Sequence, residues 1–346
     1  MPTSKMILYD DIVPIQILSQ SSNPTAGEFY DEDYDGLYEY DDIASITTSL
    51  STSATDYKFE NGRRYHGYKE GQWPVPNDEK QQNQMDLVHQ VYTLRLGGKL
   101  YLAPIDECPQ KILDIGTGTG IWAMEMGDLH PSAVVIGNDL SPIQPRWVPP
   151  NVKFEIDDFN EPWVQTPSSY DFVHAREVHG AVSDWSQFCS EAFRILKPGG
   201  WIEVAESAAE LRSDDETLPK DCALNTWLRN VSEGFERIGQ TVVVGPHIEG
   251  WLREAGFEEI TVKVFKLPVG LWPKNKIERD IGAFNLLNMI EYVEGASLQI
   301  YTKVLKKSLE ETRKAIRSAQ AEFKRKDYHM YIPYYVAYAR KPDSAI

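Results

Sequence analysis

The segment that most constrains this chain is Asp114-Ile115-Gly116-Thr117-Gly118-Thr119-Gly120. It follows a short apolar run, residues 111–115, and precedes a stretch with helical periodicity, residues 121–129. A glycine-rich turn between a strand and a helix lets the backbone pass close to a ligand. It also leaves the N–H groups at the helix start free to meet one. The same alternation continues on both sides. Residues 84–97 and 186–196 read as helices, and residues 133–139, 152–156 and 170–174 as strands. A fifth strand, residues 200–205, follows the turn Lys197-Pro198-Gly199. Strands alternating with helices imply parallel βαβ units in an α/β, doubly wound sheet covered on both faces. Beyond residue 215 the spacing predicts helices at 221–238, 247–255, 277–293 and 305–326, and strands at 259–267 and 331–340.

Composition excludes several classes. Lys plus Arg is 35 against 52 Asp plus Glu, a net charge of −17 over 346 residues. Such a surface repels phosphate backbones, which argues against a nucleic-acid partner. Cys108, Cys189 and Cys222 are widely spaced and form no C-x-x-C, so a disulfide framework or zinc site is not expected and a reducing compartment is. No run approaches the roughly 18 apolar residues that span a bilayer, and the N-terminus lacks a secretory signal. The expectation is a soluble cytoplasmic chain without a membrane partner. Charge is concentrated in residues 1–57, where eleven acidic residues face only Lys5, and residues 43–57 are rich in Ser and Thr. This leader is expected to be disordered, either a solubilising tail or a phosphorylatable, partner-docking arm. The remaining divisions expected are a helical lid segment, 58–108, and a core domain, 109–342, with helical insertions at about 215–330.

Gly118-Thr119-Gly120-Ile121-Trp122-Ala123 satisfies the looser dinucleotide pattern G-x-G-x-x-A, with Asp139 at a suitable distance for a ribose. Three carboxylates point elsewhere. Asp114 ends the first strand, where it would face an amine or cation rather than a pyrophosphate. Asp139 ends the second strand, placed for two ribose hydroxyls, and Asp157-Asp158 ends the third, placed for an adenine amine. No cation is evident for phosphates. A sulfonium, an ammonium, a ribose diol and an adenine amine are what S-adenosylmethionine presents.

The glycine turn resembles motif I of the class I methyltransferases. The likeness sharpens with Asn61-Gly62-Arg63-Arg64-Tyr65-His66, Pro76-Asn77-Asp78-Glu79, Asp139-Leu140-Ser141-Pro142-Ile143-Gln144-Pro145 and the terminal Tyr334-Tyr335-Val336-Ala337-Tyr338-Ala339-Arg340. Over roughly residues 40–342 the chain is similar to the fungal LaeA-like methyltransferases. That resemblance implies a mostly parallel, seven-stranded Rossmann-like sheet with helices inserted after the fifth strand. It implies that Asp114 holds the methionine ammonium, Gly116 and Gly118 lie against the cofactor, and Asp139 grips the ribose. Leu140 would pack on the adenine, Asp158 would accept from its amine with the Phe159 backbone nearby, and Ala175 and Arg176 would lie beside the methionine part. Tyr65 would belong to a lid over the cofactor.

Methyl transfer is a displacement at an activated carbon, so positioning supplies most of the acceleration. A base is needed only for an acceptor that arrives protonated. Candidates near the mouth are His174, Glu177, His179, Glu203 and Glu206, with His179 the first choice. A metal between the two histidines is not expected, for want of a spaced third ligand. Trp227, Phe235, Trp251, Leu271, Trp272, Phe284, Met289 and Tyr292 are candidates to line an apolar acceptor pocket for a flat metabolite. The basic stretch 303–326 reads as a solvated face or a docking surface for an acidic partner. Two functions follow: a biosynthetic methyltransferase acting on a small molecule of secondary metabolism, or a regulator of that metabolism working with velvet-type proteins in the nucleus.

Overall fold

The structure, a computed structural model, describes residues 56–69 and 73–345. The expected leader lies outside the described residues except for its last two.

Strand β3 (Lys111–Ile115) carries Ile112, Leu113 and Ile115 with no exposed surface, so it has to sit mid-sheet with both faces covered. It pairs in parallel with β4 (Val134–Asp139) on one side and β6 (Tyr170–Arg176) on the other. Beyond them lie β5 (Val152–Ile156) and β7 (Leu196–Ser207), and then the antiparallel pair β9 (Tyr331–Arg340) and β8 (Glu258–Pro268). The order β5-β4-β3-β6-β7-β9-β8 is the seven-stranded, mostly parallel sheet implied by the resemblance. Chain direction across the sheet reverses between β3 and β6, and the crevice at the carboxyl ends there is where doubly wound sheets hold ligands.

Helix α1 (Glu79–Arg95) precedes the sheet, and α2 (Ile121–Leu129) and α3 (Trp185–Ile195) connect its strands. Gly120 starts α2 at φ 81°, and a Cβ there would sit 2.3 Å from the Phe154 ring. After β7 come α4 (Ala223–Arg237), α5 (Ile248–Glu254), α6 (Lys276–Gln299) and α7 (Leu309–Phe323). Along α4, Leu224, Trp227, Val231 and Phe235 form one buried stripe, joining Val91 of α1, Val293 of α6, Phe323 of α7 and Tyr334 of β9 in a single core. Burying a side chain of that size contributes about 1.5–3 kcal/mol, and this is what fastens the inserted helices to α1 and the sheet.

Three differences from the expected elements matter. The lid segment opens with a hairpin, β1 (Lys58–Glu60) and β2 (Arg63–Tyr65), turning at Asn61 and Gly62 with φ 54° and 83°. Asn-Gly favours this turn because both central residues need positive φ. Arg63 then clamps Asp78 through two hydrogen bonds, 2.6 and 2.9 Å, while Asp78 caps α1 by accepting from the Gln81 amide at 3.0 Å. Second, α6 extends to Gln299 and passes into a π-helical turn, Ile300–Val304, so the basic stretch becomes a helix only after the Ser308 capping box. Third, β6 runs two residues past its expected end, through Arg176. No helix among the described residues is long and apolar enough to cross a membrane.

Candidate active site: two adjoining cavities

The turn after β3 is fixed from beneath. Asp114, 3% exposed, accepts from the Thr117 hydroxyl at 2.6 Å and from Nδ1 of His174 at 2.7 Å. His174 stacks on the Trp122 indole with centroids 3.7 Å apart. Burial holds it below the ordinary histidine range despite the Asp114 carboxylate, so the neutral ring donates its Nδ1–H. Above this support Gly116 and Gly118 adopt φ 67° and 58°, and a Cβ on Gly116 would meet Val178 Cγ1 at 2.6 Å. Asp139 closes the far side by accepting from the Gly118 and Ser141 amides, each at 2.9 Å. Burial pushes its carboxyl up to about 6 against those two bonds.

These residues floor a cleft enclosing about 780 Å³. Gly116, Gly118, Asp139, Leu140 and Phe159 of the sequence candidates line it, together with His66, Trp73, Asn77 and Met85. Among the described residues, no Lys or Arg lines it.

Five of the expected residues are not among those lining the cleft. Asp114 anchors the turn through the Thr117 hydroxyl and His174 and is not among the residues that line the cleft. Asp158 gives one oxygen to Lys69 at 2.7 Å and the other to the Asn160 amide at 3.0 Å, leaving the wall to Phe159 and Asn160. Ala175 and Arg176 remain in the sheet because β6 overruns, so the chain opens into the cleft at Glu177 and Val178 instead. Arg176 donates to Nδ1 of His89 at 2.8 Å, binding α1 to the sheet. Burial, then the Arg176 charge, pushes His89 down to about 3. Tyr65 is buried in the hairpin, its hydroxyl without a hydrogen-bond partner among the described residues, and His66, Trp73 and Asn77 beyond it line the cleft.

A second chamber, enclosing about 1020 Å³, adjoins the first and shares Trp73, Met85 and Glu177 with it. Trp227, Met289 and Tyr292 line it, as the sequence suggests. Phe235 packs in the core, Trp251 stacks on Trp185 at 5.5 Å, and Leu271 and Phe284 face solvent. Trp272 donates its indole N–H to the Met330 carbonyl at 3.1 Å. At one end His179 Nδ1 donates to Glu206 at 2.7 Å, and Glu206 also accepts the Val178 amide at 3.0 Å. Glu177 accepts from the Ser207 amide at 2.7 Å and its hydroxyl at 2.8 Å. Burial lowers the His179 pKa, but the Glu206 hydrogen bond and the Glu177 charge outweigh it and raise the ring to about 9. His179 is therefore an imidazolium at neutral pH. The sequence offered no third ligand for a metal; the fold brings Glu206 to Glu177 and His179, with one donor atom of each within 4.8 Å of the others. Glu203 is occupied differently, accepting the Leu102 and Ala103 amides at 2.7 Å each, and burial pushes it up to about 7.

Residues 87–262 match the family profile described as a methyltransferase domain. The methyltransferase pytC of Aspergillus terreus is 42% identical over 302 residues, covering 87% of this chain and 93% of that protein. The secondary metabolism regulator LAE1 of Cochliobolus heterostrophus is 34% identical over 289 residues, covering 82% and 94%. The probable methyltransferase tdiE of Emericella nidulans is 30% identical over 305 residues, covering 88% and 95%. With the sheet order and the glycine turn already in place, these matches make the chain a member of the fungal LaeA-like methyltransferase family.

Proposed function

We propose that the smaller cleft binds S-adenosylmethionine and the larger chamber a small-molecule acceptor of secondary metabolism, the two meeting at Trp73, Met85 and Glu177. The observation that carries this reading is a pair of cavities with a shared wall, the smaller lined by the glycine turn, Asp139 and Leu140 and the larger by Trp227, Met289 and Tyr292. The cleft fits the cofactor in three respects. Its glycines leave room where a Cβ would clash, Asp139 presents a carboxylate for a ribose diol, and the lining offers no cation for the pyrophosphate of a dinucleotide. When bound, the cofactor supplies a methyl carbon activated by positive sulfur.

The chain's own residues bind, orient and exclude water. Asp139 holds the ribose, Leu140 and Phe159 flank the adenine, and the lid residues His66, Trp73 and Asn77 close over it. The Arg63–Asp78 clamp and the Lys69–Asp158 pair keep that lid in place. Helix α1 adds Met85 at the junction, so donor and acceptor are both enclosed by one element. An acceptor that arrives protonated loses its proton to the Glu177–His179–Glu206 cluster. His179, already an imidazolium, serves there as a hydrogen-bond donor and charge partner, and it accepts a proton only after losing its own.

A regulatory role with velvet-type partners is the second reading, with action in the nucleus rather than the cytoplasm. It is supported by relatives named as regulators and by exposed Arg313, Lys314 and Arg317 along α7, a surface for an acidic partner. Incubating the protein with radiolabelled S-adenosylmethionine and fungal metabolite extracts, beside a pull-down with velvet proteins, tests both. Label in an extracted small molecule supports the first reading. Label confined to protein, or capture of a velvet partner without small-molecule methylation, favours the second.

A further inference from the structure

Granted that methyl transfer occurs where the cavities meet, the larger chamber narrows the acceptor's chemistry. Its charged groups are few. Glu177 lines it with His179, and Glu206 sits directly behind, so two carboxylates face one imidazolium already engaged at 2.7 Å. Glu210 also lines the chamber and pairs with Arg212. Among the described residues, no Lys or Arg lines the chamber. An anionic acceptor would lose its hydration beside carboxylates with no free cation to meet it, which is strongly unfavourable. A cation gains instead. Trp73, Tyr92, Trp227 and Tyr292 present ring surface around the same space, and a carboxylate among aromatic rings is the chemistry that recognises alkylammonium groups.

A second polar feature lies on the wall built by α1 and α6. Gln81 donates to Gln84 at 2.6 Å, Gln84 to Asn288 at 2.6 Å, Asn288 to Asn285 at 3.0 Å, and Asn285 to the Pro268 carbonyl at 3.0 Å. All four side chains are buried and all line the chamber. The chain of donations runs one way and fixes each amide in orientation; Asn285 also donates to the Leu267 carbonyl at 3.4 Å, while Gln81, Gln84 and Asn288 each have a second N–H beyond these bonds. Such a ladder suits a polar heteroatom on an otherwise apolar body.

We propose that the acceptor is an aromatic or polycyclic compound bearing a basic amine, held with its ammonium against Glu177 at the junction and its body among the aromatic rings. The ammonium gives one proton to the carboxylate cluster, which frees the nitrogen lone pair. A nitrogen–carbon bond then forms as the donor's carbon–sulfur bond breaks, with that electron pair remaining on sulfur. The methylated product is again an ammonium.

The test uses three indoles of similar shape and different charge, tryptamine, 3-ethylindole and indole-3-propionate, titrated calorimetrically into the full-length protein at pH 7.5. S-adenosylhomocysteine is titrated first and alone. Tryptamine is expected to bind at least about tenfold more tightly than the other two. Glu177→Gln is expected to shrink that preference below about threefold. Tryptamine binding no tighter than indole-3-propionate, including no detectable binding by any indole, overturns the proposal. So does a preference that survives in a folded Glu177→Gln. The wild-type ranking decides the matter if that variant does not fold. Failure of S-adenosylhomocysteine to bind while the indoles rank as expected counts against the methyltransferase assignment alone and leaves the chamber's chemistry standing.

Discussion

The cleft proposed for the donor and the chamber proposed for the acceptor share a wall but are built from different materials. The floor of the cleft is set by backbone: a turn in left-handed conformation, two amides holding Asp139, and strand ends in fixed register. The chamber is side chains contributed by elements far apart in sequence, with Gln84 and Asn288 hydrogen-bonded across 204 positions. A site of the first kind has little freedom, because its geometry is the geometry of the sheet. A site of the second kind can change its ligand by exchanging side chains while the sheet stays as it is. Trp73, Met85 and Glu177 join the two, so the acceptor can vary without moving the point where it meets the donor.

Removing the charge at the chamber's end gives the largest expected effect. His179→Leu leaves Glu206 buried without its partner and should cost about 3–5 kcal/mol of stability, read by urea unfolding at pH 7. Because folding raises His179 to about 9, its contribution is complete below the ordinary histidine value and disappears as pH rises through 9. The gap between wild type and variant should therefore narrow from pH 7 to 10. A gap that ignores pH would mean that the imidazolium is not what holds this end together.

On the cleft side, Asp139→Ala should weaken S-adenosylhomocysteine by about 1–3 kcal/mol while leaving ligands of the chamber unaffected. Equal losses in both cavities would show that they are not separable. The intact protein offers a gentler version of the same test. Asp139 titrates near 6, so donor affinity should drop as pH falls through that value, by about tenfold at one unit below it. Affinity constant from pH 7.5 to 5 would remove the carboxylate from the site. Lys69→Met, which frees the lid from Asp158, should have the smallest effect. About 0.5–1 kcal/mol of affinity is expected, appearing as faster donor release and shrinking at high salt.

What could be read beforehand divides along the same line. The glycine turn, Asp139, Leu140 and Phe159 were legible because a strand, a tight turn and a helix place them through local rules. Ala175 and Arg176 were misplaced by a strand that continued two residues further, and at a strand end that shift moves the opening to Glu177 and Val178. Asp114 and Asp158 were found as strand-end acids. Their roles depended on His174 and Lys69, 60 and 89 positions away, which no local pattern reveals. The hairpin was signalled by Asn61-Gly62, although the helical expectation for the segment passed over it. Met85 and the amide ladder carried no signal, since an ordinary helix face contains the same residue types whether it meets a core or a cavity.

The most direct test is calorimetric titration of the full-length protein at pH 7.5 with S-adenosylhomocysteine and, in parallel, with NAD. Micromolar binding of the former and no heat from the latter is the outcome that a cleft without cations at these strand ends demands. Binding of NAD instead, or silence from both ligands at millimolar concentration, would mean that the cleft does not hold the methyl donor.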